Sequence, residues 1–291
     1  MLVALIYSLR PKHWIKNLFI FMPLVFGQKL LNQQALFAAA ITFILFSLAA
    51  SSVYLFNDIL DSEKDRLHRV KKLRPIASGK ISKHQALIAA LFLGIFVLVF
   101  SSFFNARLGI ILLTYLLMNV IYSKWLKEMV ILDVFTISFF FFLRISAGTV
   151  VAEVAYSHWM IFMVVLLALF LGFNKRRQEL LTAEKEAGAQ RAVLSKYSLY
   201  FIDQMISVLT SSIVVVYLLY TIDERTVREF GTNHLMYTIP FVYYGIFRYL
   251  YLIHKRRQAE DPVVVVTSDR MMQVNLLLWM AVSIGVIYFG I

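Results

Sequence analysis

Residues 35–66 read ALFAAAITFILFSLAASSVYLFNDILDSEKDR, and this stretch decides the fold. Its first part, 35–56, is an apolar run of the length that one helix needs to cross a hydrocarbon core of about 30 Å. The run passes directly into a group of carboxylates and cations, which are costly to place in hydrocarbon. The stretch therefore predicts a membrane-spanning helix whose polar end lies at the bilayer surface.

The rest of the chain has the same apolar character. Of its 291 residues, 60% are hydrophobic and 16% are charged, and the net charge is +12. Soluble domains carry about 25% charged residues, so the composition excludes a water-soluble domain of this size. The chain has no cysteine, which excludes a disulfide, a thiolate nucleophile and a Cys-ligated metal site. Any chemistry must come from oxygen and nitrogen groups.

Apolar segments of sufficient length predict about nine transmembrane helices. They are 15–31, 35–56, 86–104, 107–122, 131–151, 157–174, 201–221, 235–253 and 272–290. The connections between them are too short for a soluble domain. We therefore predict an all-α integral membrane protein with a single transmembrane domain over 1–291 and two long polar loops, at 57–85 and 175–200.

The distribution of Lys and Arg predicts the orientation. With a cytoplasmic N-terminus, 23 of the 29 Lys and Arg residues fall on the cytoplasmic side. Cytoplasmic connections of membrane proteins carry an excess of these residues. We therefore predict a cytoplasmic N-terminus, an extracytoplasmic C-terminus and cytoplasmic positions for both polar loops. The positive charge is thus assigned to topology and anionic membrane lipids, and no nucleic-acid partner is expected.

The carboxylates after the second segment form the most informative motif. If the helix continues, Asp58, Asp61 and Asp65 lie at i, i+3 and i+7 and share one face. Like charges at this spacing repel unless a cation binds them. Mg²⁺ takes one or two carboxylates and completes its shell with water and substrate phosphates. The pattern predicts a site for a metal diphosphate, and the alternative is a solvated helix end.

A basic run follows in the same loop. Arg69 is four residues after Asp65 and could share its face, while Arg74 precedes a proline that ends any helix. Ser82 and Gln85 resemble a capping box at the start of the third span. Cations next to carboxylates suit a metal diphosphate, although retention of the loop in the cytoplasm alone would also place cations here.

The second polar loop opens with three adjacent cations, Lys175, Arg176 and Arg177, followed by Glu179. Successive helical positions point in different directions, so at most two of these cations can reach one site. Arg binds phosphate oxygens bidentately, and Lys acts as a point charge. Glu179 could orient one of the cations or contact a metal.

Polar residues within apolar segments are further candidates, because ionisable groups inside a membrane are functional by default. Arg144 lies inside a span and must face a cavity or a partner, with a structural ion pair as the alternative. Arg248 could line the same cavity or extend to the surface, and Asp269 is explained by helix capping. The other candidates of this kind are Lys16, Asn17, Tyr122, Lys124 and Asp133.

The acidic motif over 57–66, followed by Arg74-Pro75 and Gly79, resembles the first Asp-rich motif of the UbiA superfamily of intramembrane prenyltransferases. The resemblance implies about nine helices around a central cavity that opens to the cytoplasmic side. It also implies Mg²⁺ as cofactor, with Mn²⁺ as an alternative. The metal and substrate diphosphate would be bound by Asn57, Asp58, Asp61 and Asp65.

The chain departs from the superfamily at its second motif. Typical aromatic prenyltransferases carry a second Asp-rich motif where this chain has cations at 175–177. The departure resembles a subgroup, the decaprenyl-phosphate phosphoribosyltransferases. The similar segments are Arg10-Pro11-x-x-Trp14-x-Lys16-Asn17, Tyr54-x-x-Asn57-Asp58, Arg74-Pro75-Ile76-Ala77, Lys175-Arg176, Phe247-Arg248-Tyr249 and Asp269-Arg270.

The subgroup implies a reaction that moves 5-phosphoribose from 5-phosphoribosyl 1-diphosphate to a polyprenyl phosphate in the plasma membrane. The resemblance makes Asp58, Asp61 and Asp65 the catalytic, metal-binding carboxylates. The substrate phosphates would be bound by Lys16, Asn17, Asn57, Arg66, Arg74, Lys124, Lys175, Arg176 and Arg177. Further cavity residues would be Tyr54, Tyr122, Asp133, Arg144, Glu179 and Arg248.

Two alternatives remain open. A prenyltransferase of the same superfamily would move a prenyl group to an aromatic or lipid acceptor, and an intact acidic second motif would favour it. A transporter for an anionic metabolite would use Arg144 and the loop cations as its path. Transporters are built with broken helices near the bilayer midplane and with repeats, whereas the charged groups here lie at one boundary.

Overall fold

The structure is a computed structural model that describes residues 2–67, 71–183, 193–255 and 262–290. All regular secondary structure in these ranges is helical. Arg69, predicted to share a face with Asp65, lies outside the described residues.

The α-helices are numbered in chain order. They are α1 Leu2–Ser8, α2 Met22–Phe26, α3 Gln33–Leu60, α4 Ser62–Leu67, α5 Lys83–Phe104, α6 Ala106–Lys124, α7 Leu132–Val151, α8 His158–Ala183, α9 Leu199–Ile222, α10 Glu224–Phe230, α11 Ile239–Lys255, α12 Pro262–Ser268 and α13 Arg270–Phe289. Short 3₁₀ helices occur at Pro11–Phe21, Lys71–Leu73, Leu126–Glu128, Leu194–Lys196 and His234–Thr238.

Within the described ranges, seven helices are long and apolar enough to cross a membrane: α3, α5, α6, α7, α8, α9 and α13. Each corresponds to one of the predicted spans. This confirms the predicted class, an all-α multi-pass membrane protein. Helix α8 continues nine residues beyond the predicted end at 174, so the cations at 175–177 lie on a helix and not in a loop.

The predicted count of nine spans is not matched over the described residues. The predicted span 15–31 is a 3₁₀ helix, Pro11–Phe21, followed by the short α2. Pro11 and Pro23 have no N–H for a continuous α-helix, and Asn17 within the segment is tied to other elements by its side chain. The predicted span 235–253 becomes a 3₁₀ helix and then α11, which has 17 residues.

Side chains define the starts of several helices as the sequence indicated. The hydroxyl of Ser82 accepts from the N–H of Gln85, and the Gln85 side chain accepts from the N–H of Ser82. This confirms the predicted capping box of α5. Asp269 accepts from the N–H of Met272 at 2.9 Å and caps α13, also as predicted.

The described chain divides into two compact units. The first unit extends to Met129 and includes Phe140–Tyr156. In this unit, α3 packs against α5, α6 and the 3₁₀ helix Pro11–Phe21. Small residues lie where the elements of this unit approach closely. Ser52 of α3 donates to the carbonyl of Ala90 of α5 at 2.7 Å. A Cβ on Gly148 would lie 2.1 Å from the carbonyl oxygen of Ile20.

The second unit comprises Val130–Phe139 and the chain from Ser157 onward. Helix α8 packs against α9, and α11 packs against α9 and α13. Its apolar core is formed largely by aliphatic and aromatic side chains of α8, α9 and α11. The division into units does not test the predicted single transmembrane domain, which stays a prediction.

Candidate functional site

The polar end of α3 is built from two short-range turns. Helix α3 ends at Leu60, and Asp61 donates its N–H to the carbonyl of Asn57 at 2.9 Å. Helix α4 begins at the next residue, and the N–H of Asp65 reaches the carbonyl of Asp61 at 2.8 Å. The helix is therefore interrupted at Asp61, within the acidic motif.

Arg74 joins two of the carboxylates. Its Nη1 lies 3.1 Å from Oδ1 of Asp58 and 2.7 Å from Oδ2 of Asp65. Both carboxylates are buried, with 3% and 5% of their surface exposed. Arg74 is held in place because the following residues, Pro75 and Ile76, are buried, and Ile76 belongs to a small apolar cluster. The motif thus brings one cation to two carboxylates from different helices.

Arg10 is a second cation at Asp58. Its Nη2 lies 2.5 Å from Oδ1 of Asp58, and its guanidinium carbon lies 4.9 Å from the centre of the Tyr54 ring. The backbone of Arg10 has a φ of 52°, in the left-handed region, where a residue other than glycine is uncommon. We call Arg10, Asp58, Asp65 and Arg74 the boundary cluster. It balances two carboxylates with two guanidinium groups.

Asn57 and Asp61 have other partners. The hydroxyl of Ser123 donates to Oδ1 of Asn57 at 2.6 Å. Nζ of Lys127 lies 3.4 Å from Oδ1 of Asp61. Among the described residues, no three His, Asp or Glu side chains are arranged to hold a metal ion. The assignment of Asn57, Asp58, Asp61 and Asp65 as a ligand set therefore stays a prediction.

The donor chemistry of the boundary cluster nevertheless suits a hard divalent cation. Asp58 and Asp65 present buried carboxylate oxygens to one shared nitrogen atom. Mg²⁺ is commonly bound by one or two carboxylates and completes its octahedral shell with water and substrate phosphates. Two converging carboxylates therefore fit such an ion, whose positive charge would take the place of a guanidinium group.

The N-terminal 3₁₀ helix follows one face of α3. Nδ2 of Asn17 donates to the hydroxyl of Ser47 at 2.9 Å, and Nε1 of Trp14 donates to the hydroxyl of Ser51 at 3.2 Å. Ser51 also donates to the carbonyl of Leu9 at 2.9 Å. Asn17 is buried, and Lys16 beside it is half-buried. The N-terminal segment is thus fastened to α3 by polar side chains.

Arg144 lies in the interior of the first unit. Its Nε donates to Oδ1 of Asn17 at 2.8 Å, and its Nη1 donates to the carbonyl of Phe140 at 2.7 Å. Its Nη2 lies 3.5 Å from the hydroxyl of Tyr115. The predicted partner is thus present, but these acceptors are neutral. The ring of Tyr122 packs edge-on against the ring of Phe140, the residue whose carbonyl accepts from Arg144.

Tyr54 lies on the same face of α3 as Ser51 and Asp58, and its ring contacts Arg10. Two further candidate cations of the first unit, Arg66 and Lys124, are exposed. Nε of Arg66 donates to the carbonyl of Ala77 at 3.2 Å. Lys124 is exposed and lies over the ring of Trp125, 5.7 Å from its centre.

The second unit contains a buried ionic network around Arg176. Nε of Arg176 lies 2.6 Å from Oδ2 of Asp133, and its Nη1 contacts the carboxylate of Glu179. Arg176 and Asp133 are 1% and 0% exposed. The carboxylates on two elements, α7 and α8, thus hold the guanidinium. Because a buried charge is costly unless it is paired, these two carboxylates offset the cost of burying Arg176 near the end of α8.

Tyr197 completes this network. Its hydroxyl donates to Oδ1 of Asp133 at 2.7 Å and accepts from the N–H of Ile131 at 2.6 Å. Burial and the hydrogen bond to Asp133 raise the pKa of the Tyr197 hydroxyl above its ordinary value of 10.0. The hydroxyl therefore remains a proton donor to Asp133 throughout the physiological range.

The other cations of α8 have different environments. Nε of Arg177 lies 2.6 Å from Oδ1 of Asp203 on α9. Lys175 is half-buried. The predicted divergence of successive positions is observed, because Arg176 and Arg177 contact acids on different helices. Arg248 forms a two-point pair with Asp269, with distances of 3.2 Å and 2.9 Å, so the same carboxylate pairs with a cation and caps α13.

The structure thus brings together Asp58, Asp65 and Arg74 in the first unit, and Asp133, Arg176 and Glu179 in the second. Sequence reasoning did not assign Arg10, Ser123 or Lys127 to the site. It also did not identify Tyr197 as a partner of Asp133 or Asp203 as the partner of Arg177. Arg10 precedes a proline in a basic segment, which is a usable signal. The others lie 26 to 66 residues from their partners, so spacing could not identify them.

Comparison with known proteins agrees with this architecture. The chain matches the model of the UbiA prenyltransferase family over residues 18–277. A solved UbiA homologue from Archaeoglobus fulgidus, bound to GPP and Mg²⁺, has the same fold with a TM-score of 0.72. It is 17% identical, and the match covers 98% of this chain and 99% of that chain.

Curated relatives are more similar in sequence. The decaprenyl-phosphate phosphoribosyltransferase of Mycolicibacterium smegmatis is 31% identical, over 99% of this chain and 93% of the relative. The protein of the same name from Mycobacterium tuberculosis is 28% identical, over 100% of this chain and 96% of the relative. Fold, family match and relatives agree, and the chain is a multi-pass membrane transferase that belongs to the UbiA prenyltransferase family.

Proposed function

We propose that the chain transfers 5-phosphoribose from 5-phosphoribosyl 1-diphosphate to the phosphate of a polyprenyl phosphate and releases diphosphate. Full-length similarity to relatives named decaprenyl-phosphate phosphoribosyltransferase supports this activity. The proposal places the reaction in the plasma membrane, with the N-terminus in the cytoplasm and the C-terminus outside, because most Lys and Arg residues then lie on the cytoplasmic side.

One observation favours phosphoribosyl transfer over prenyl transfer. Helix α8 carries cations at 175–177, and its acid Glu179 is engaged by Arg176. A second metal site made of acids is therefore absent from the described part of α8. Cations suit additional phosphate groups, and the proposed reaction has three: the diphosphate and 5-phosphate of the donor, and the phosphate of the acceptor.

In this proposal, the first unit binds the donor diphosphate as its metal complex. Asn57, Asp58, Asp61 and Asp65 are the proposed ligands of Mg²⁺, with Mn²⁺ as a substitute. When bound, the ion supplies Lewis-acid stabilisation of the departing diphosphate. Asp58 and Asp65 hold their carboxylates in place through Arg74 and Arg10, so little rearrangement of these side chains is needed.

The cationic residues bind phosphate oxygens and orient the substrates. Arg74 is placed best for this role, since its guanidinium lies beside both carboxylates. The proposed set of phosphate-binding residues is Lys16, Asn17, Asn57, Arg66, Arg74, Lys124, Lys175, Arg176 and Arg177. For Arg176 the buried pairing with Asp133 adds a second role, which is to anchor α8 beside Lys175 and Arg177.

The chemical step needs no strong general base. An oxygen of the lipid phosphate is anionic at neutral pH and forms the new bond to the anomeric carbon. The bond between that carbon and the diphosphate oxygen breaks, and diphosphate leaves with the electron pair. The protein therefore contributes positioning and charge stabilisation, which are the main components of catalysis in transfers of this kind.

A second candidate is prenyl transfer from a prenyl diphosphate to an aromatic or lipid acceptor. It is favoured by the fold, which is shared with a UbiA homologue bound to GPP and Mg²⁺. The two candidates differ in which substrate carries the diphosphate. A single assay with both donors distinguishes them.

The test uses the full chain purified in detergent, with Mg²⁺ and radiolabelled 5-phosphoribosyl 1-diphosphate. We expect label to enter the organic phase when polyprenyl phosphate is present and to remain in water when it is omitted. Formation of a prenylated aromatic acid from a prenyl diphosphate, with no transfer of label from 5-phosphoribosyl 1-diphosphate to lipid, would replace this proposal by prenyl transfer.

Metal dependence is tested in the same assay. Removal of divalent ions with a chelator should abolish turnover, and added Mg²⁺ should restore it. The variant Asp61→Asn should nearly abolish turnover at saturating Mg²⁺ if Asp61 is a ligand. Activity with Mg²⁺ close to that of the wild type would show that the metal assignment is wrong.

A further inference from the structure

Arg144 carries a buried charge that no acid of the described structure neutralises. It lies twelve residues after the start of α7, about 18 Å along the helix at 1.5 Å per residue, and 5% of its surface is exposed. No Asp or Glu within the described ranges forms an ion pair with it. A charge in this position normally has a partner of opposite charge or lines a polar cavity.

The neutral contacts of Arg144 satisfy it only in part. A guanidinium group has five N–H donors, and the structure gives acceptors to three: Asn17, Phe140 and Tyr115. Nη1 and Nη2 each retain one N–H without an acceptor in the described part of the chain. The rings of Phe46, Tyr115 and Phe141 lie 5.3 to 5.5 Å from the guanidinium carbon and add cation–π attraction. None of these groups supplies a negative charge.

Arg176 shows how the same protein pairs a buried arginine with its own acids. It is equally buried, but two carboxylates, Asp133 and Glu179, contact its guanidinium. The positive charge of Arg176 is therefore paired with negative charges of the chain itself, whereas the partners of Arg144 among the described residues are all neutral. The difference indicates that Arg144 keeps a positive charge that the described part of the chain does not neutralise.

Polar side chains connect Arg144 with the boundary cluster. Ser47, Ser51, Tyr54 and Asp58 lie at i, i+4, i+7 and i+11 on α3, which places them on one face. Each contacts the N-terminal segment: Ser47 through Asn17, Ser51 through Trp14, and Tyr54 and Asp58 through Arg10. We call this row the polar seam. Arg144 lies at its inner end because it binds Asn17.

We infer that Arg144 binds a phosphate monoester group of one of the two substrates, at the inner end of the polar seam. This inference rests on the proposed function, which supplies two such groups: the lipid phosphate and the 5-phosphate of the donor. The terminal nitrogens of an Arg match the spacing of phosphate oxygens, and each still has a donor. A phosphate group there supplies the negative charge that the neutral partners of Arg144 lack.

The first experiment compares thermal unfolding of the ligand-free full chain in detergent. In Arg144→Met the unpaired charge is removed and an apolar side chain of similar length replaces it. We therefore expect a melting temperature equal to or above that of the wild type. The matched control is Arg176→Met, which leaves the buried carboxylate of Asp133 and the half-buried carboxylate of Glu179 without their cation and should lower the melting temperature clearly.

The second experiment measures ligand-induced stabilisation, with two probes that separate the sources of phosphate. Farnesyl phosphate represents the acceptor, with farnesol as its neutral counterpart, and 5-phosphoribosyl 1-diphosphate with Mg²⁺ represents the donor. For the probe whose phosphate Arg144 binds, the Arg144→Met variant should lose the thermal shift and bind about tenfold to a hundredfold more weakly. Arg144→Lys, which keeps the charge but not the fork, should show an intermediate loss.

The outcomes are decisive in both directions. The inference is overturned if Arg144→Met is destabilised as much as Arg176→Met, or if it keeps the wild-type thermal shifts with both probes. It is also overturned if neither probe stabilises the wild type. Failure of the proposed function appears elsewhere, as a wild-type enzyme that binds farnesyl phosphate through Arg144 but does not transfer phosphoribose to lipid.

Discussion

Asp58 accepts hydrogen bonds from two guanidinium groups, one from a residue that precedes it in the sequence and one from a residue that follows it. Arg10 approaches from the N-terminal segment, and Arg74 approaches from the loop after α4. Asp65 shares Arg74 but not Arg10. At the scale of single residues, Asp58 is thus the centre of the boundary cluster, and its charge is the property that a substitution should remove.

The variant Asp58→Asn keeps the shape of the side chain and removes the negative charge. We expect the rate of phosphoribosyl transfer to fall about a hundredfold or more, because a preorganised charge at the reacting diphosphate is lost. The measurement is the initial rate of label transfer at saturating Mg²⁺ and substrate.

Glu63→Gln is the matched control for Asp58→Asn. Glu63 belongs to the same acidic motif, but its side chain is largely exposed and pairs with Lys83 at the surface. A surface ion pair contributes little to stability. The rate of phosphoribosyl transfer by Glu63→Gln should therefore stay within about twofold of that of the wild type. Equal losses in both variants would contradict a special role for Asp58.

Tyr197 supports the buried network of the second unit, and its hydroxyl can be removed alone. Tyr197→Phe leaves Asp133 and the N–H of Ile131 without this partner. We expect a loss of about 1–3 kcal/mol of stability, the typical cost of an unsatisfied buried group, measured by unfolding in a mild detergent. Tyr200→Phe is the control, since Tyr200 is exposed, and it should be neutral. A neutral Tyr197→Phe would show that the hydroxyl bonds do not stabilise the unit.

At the scale of elements, the N-terminal 3₁₀ helix is set against α7 by a very close approach. The carbonyl of Ile20 occupies the space where any side chain on Gly148 would begin. Asn17 lies one helical turn before Ile20, and Arg144 lies one turn before Gly148. The contact between backbones and the hydrogen bond between side chains are therefore parts of one interface.

Gly148→Ala tests this interface. A Cβ would lie 2.1 Å from a backbone oxygen, so the two elements must separate, at a cost of about 1–3 kcal/mol for overpacking. We expect lower thermal stability and lower activity, because Asn17 moves away from Arg144. In the control Gly94→Ala, the new Cβ meets the hydroxyl of Ser52 at 3.4 Å, so its stability should be nearly unchanged. A stable, active Gly148→Ala variant would contradict the close packing described.

The elements also show what the sequence could and could not predict. Seven spans, the capping box of Ser82 and Gln85 and the cap by Asp269 followed from local patterns, because their causes lie within a few residues. The 3₁₀ helix Pro11–Phe21 was not predicted, since its side chains form hydrogen bonds with residues of α3 and α7 that lie far along the sequence. The burial of Arg176 was missed for the same reason: its partner Asp133 is 43 residues away.

At the scale of the whole molecule, the charge distribution predicts a topology that can be tested directly. The chain has no cysteine, so single cysteines can be introduced and labelled without background. We expect Ser78→Cys to react with a membrane-impermeant maleimide only when the cytoplasmic side is accessible. Asn233→Cys should react in intact cells. The opposite pattern would invert the proposed orientation.

The site was predictable in chemical type and less so in geometry. The acidic motif and the following arginine identified Asp58, Asp65 and Arg74, which the structure brings together. The motif did not reveal that the helix breaks at Asp61 or that Arg10 joins the cluster. The contact of Arg10 depends on tertiary packing, because Arg10 and Asp58 are 48 residues apart in the sequence.

The fastening of Asn17 to Arg144 has a consequence for biosynthesis. These residues are separated by 127 positions, so a ribosome finishes α7 long after the N-terminal segment has emerged. Until then the polar side chains of that segment lack part of their final hydrogen bonds, and unsatisfied polar groups are costly in hydrocarbon. The N-terminal segment should therefore complete its docking last among the parts of the first unit, although it is the first to be synthesised.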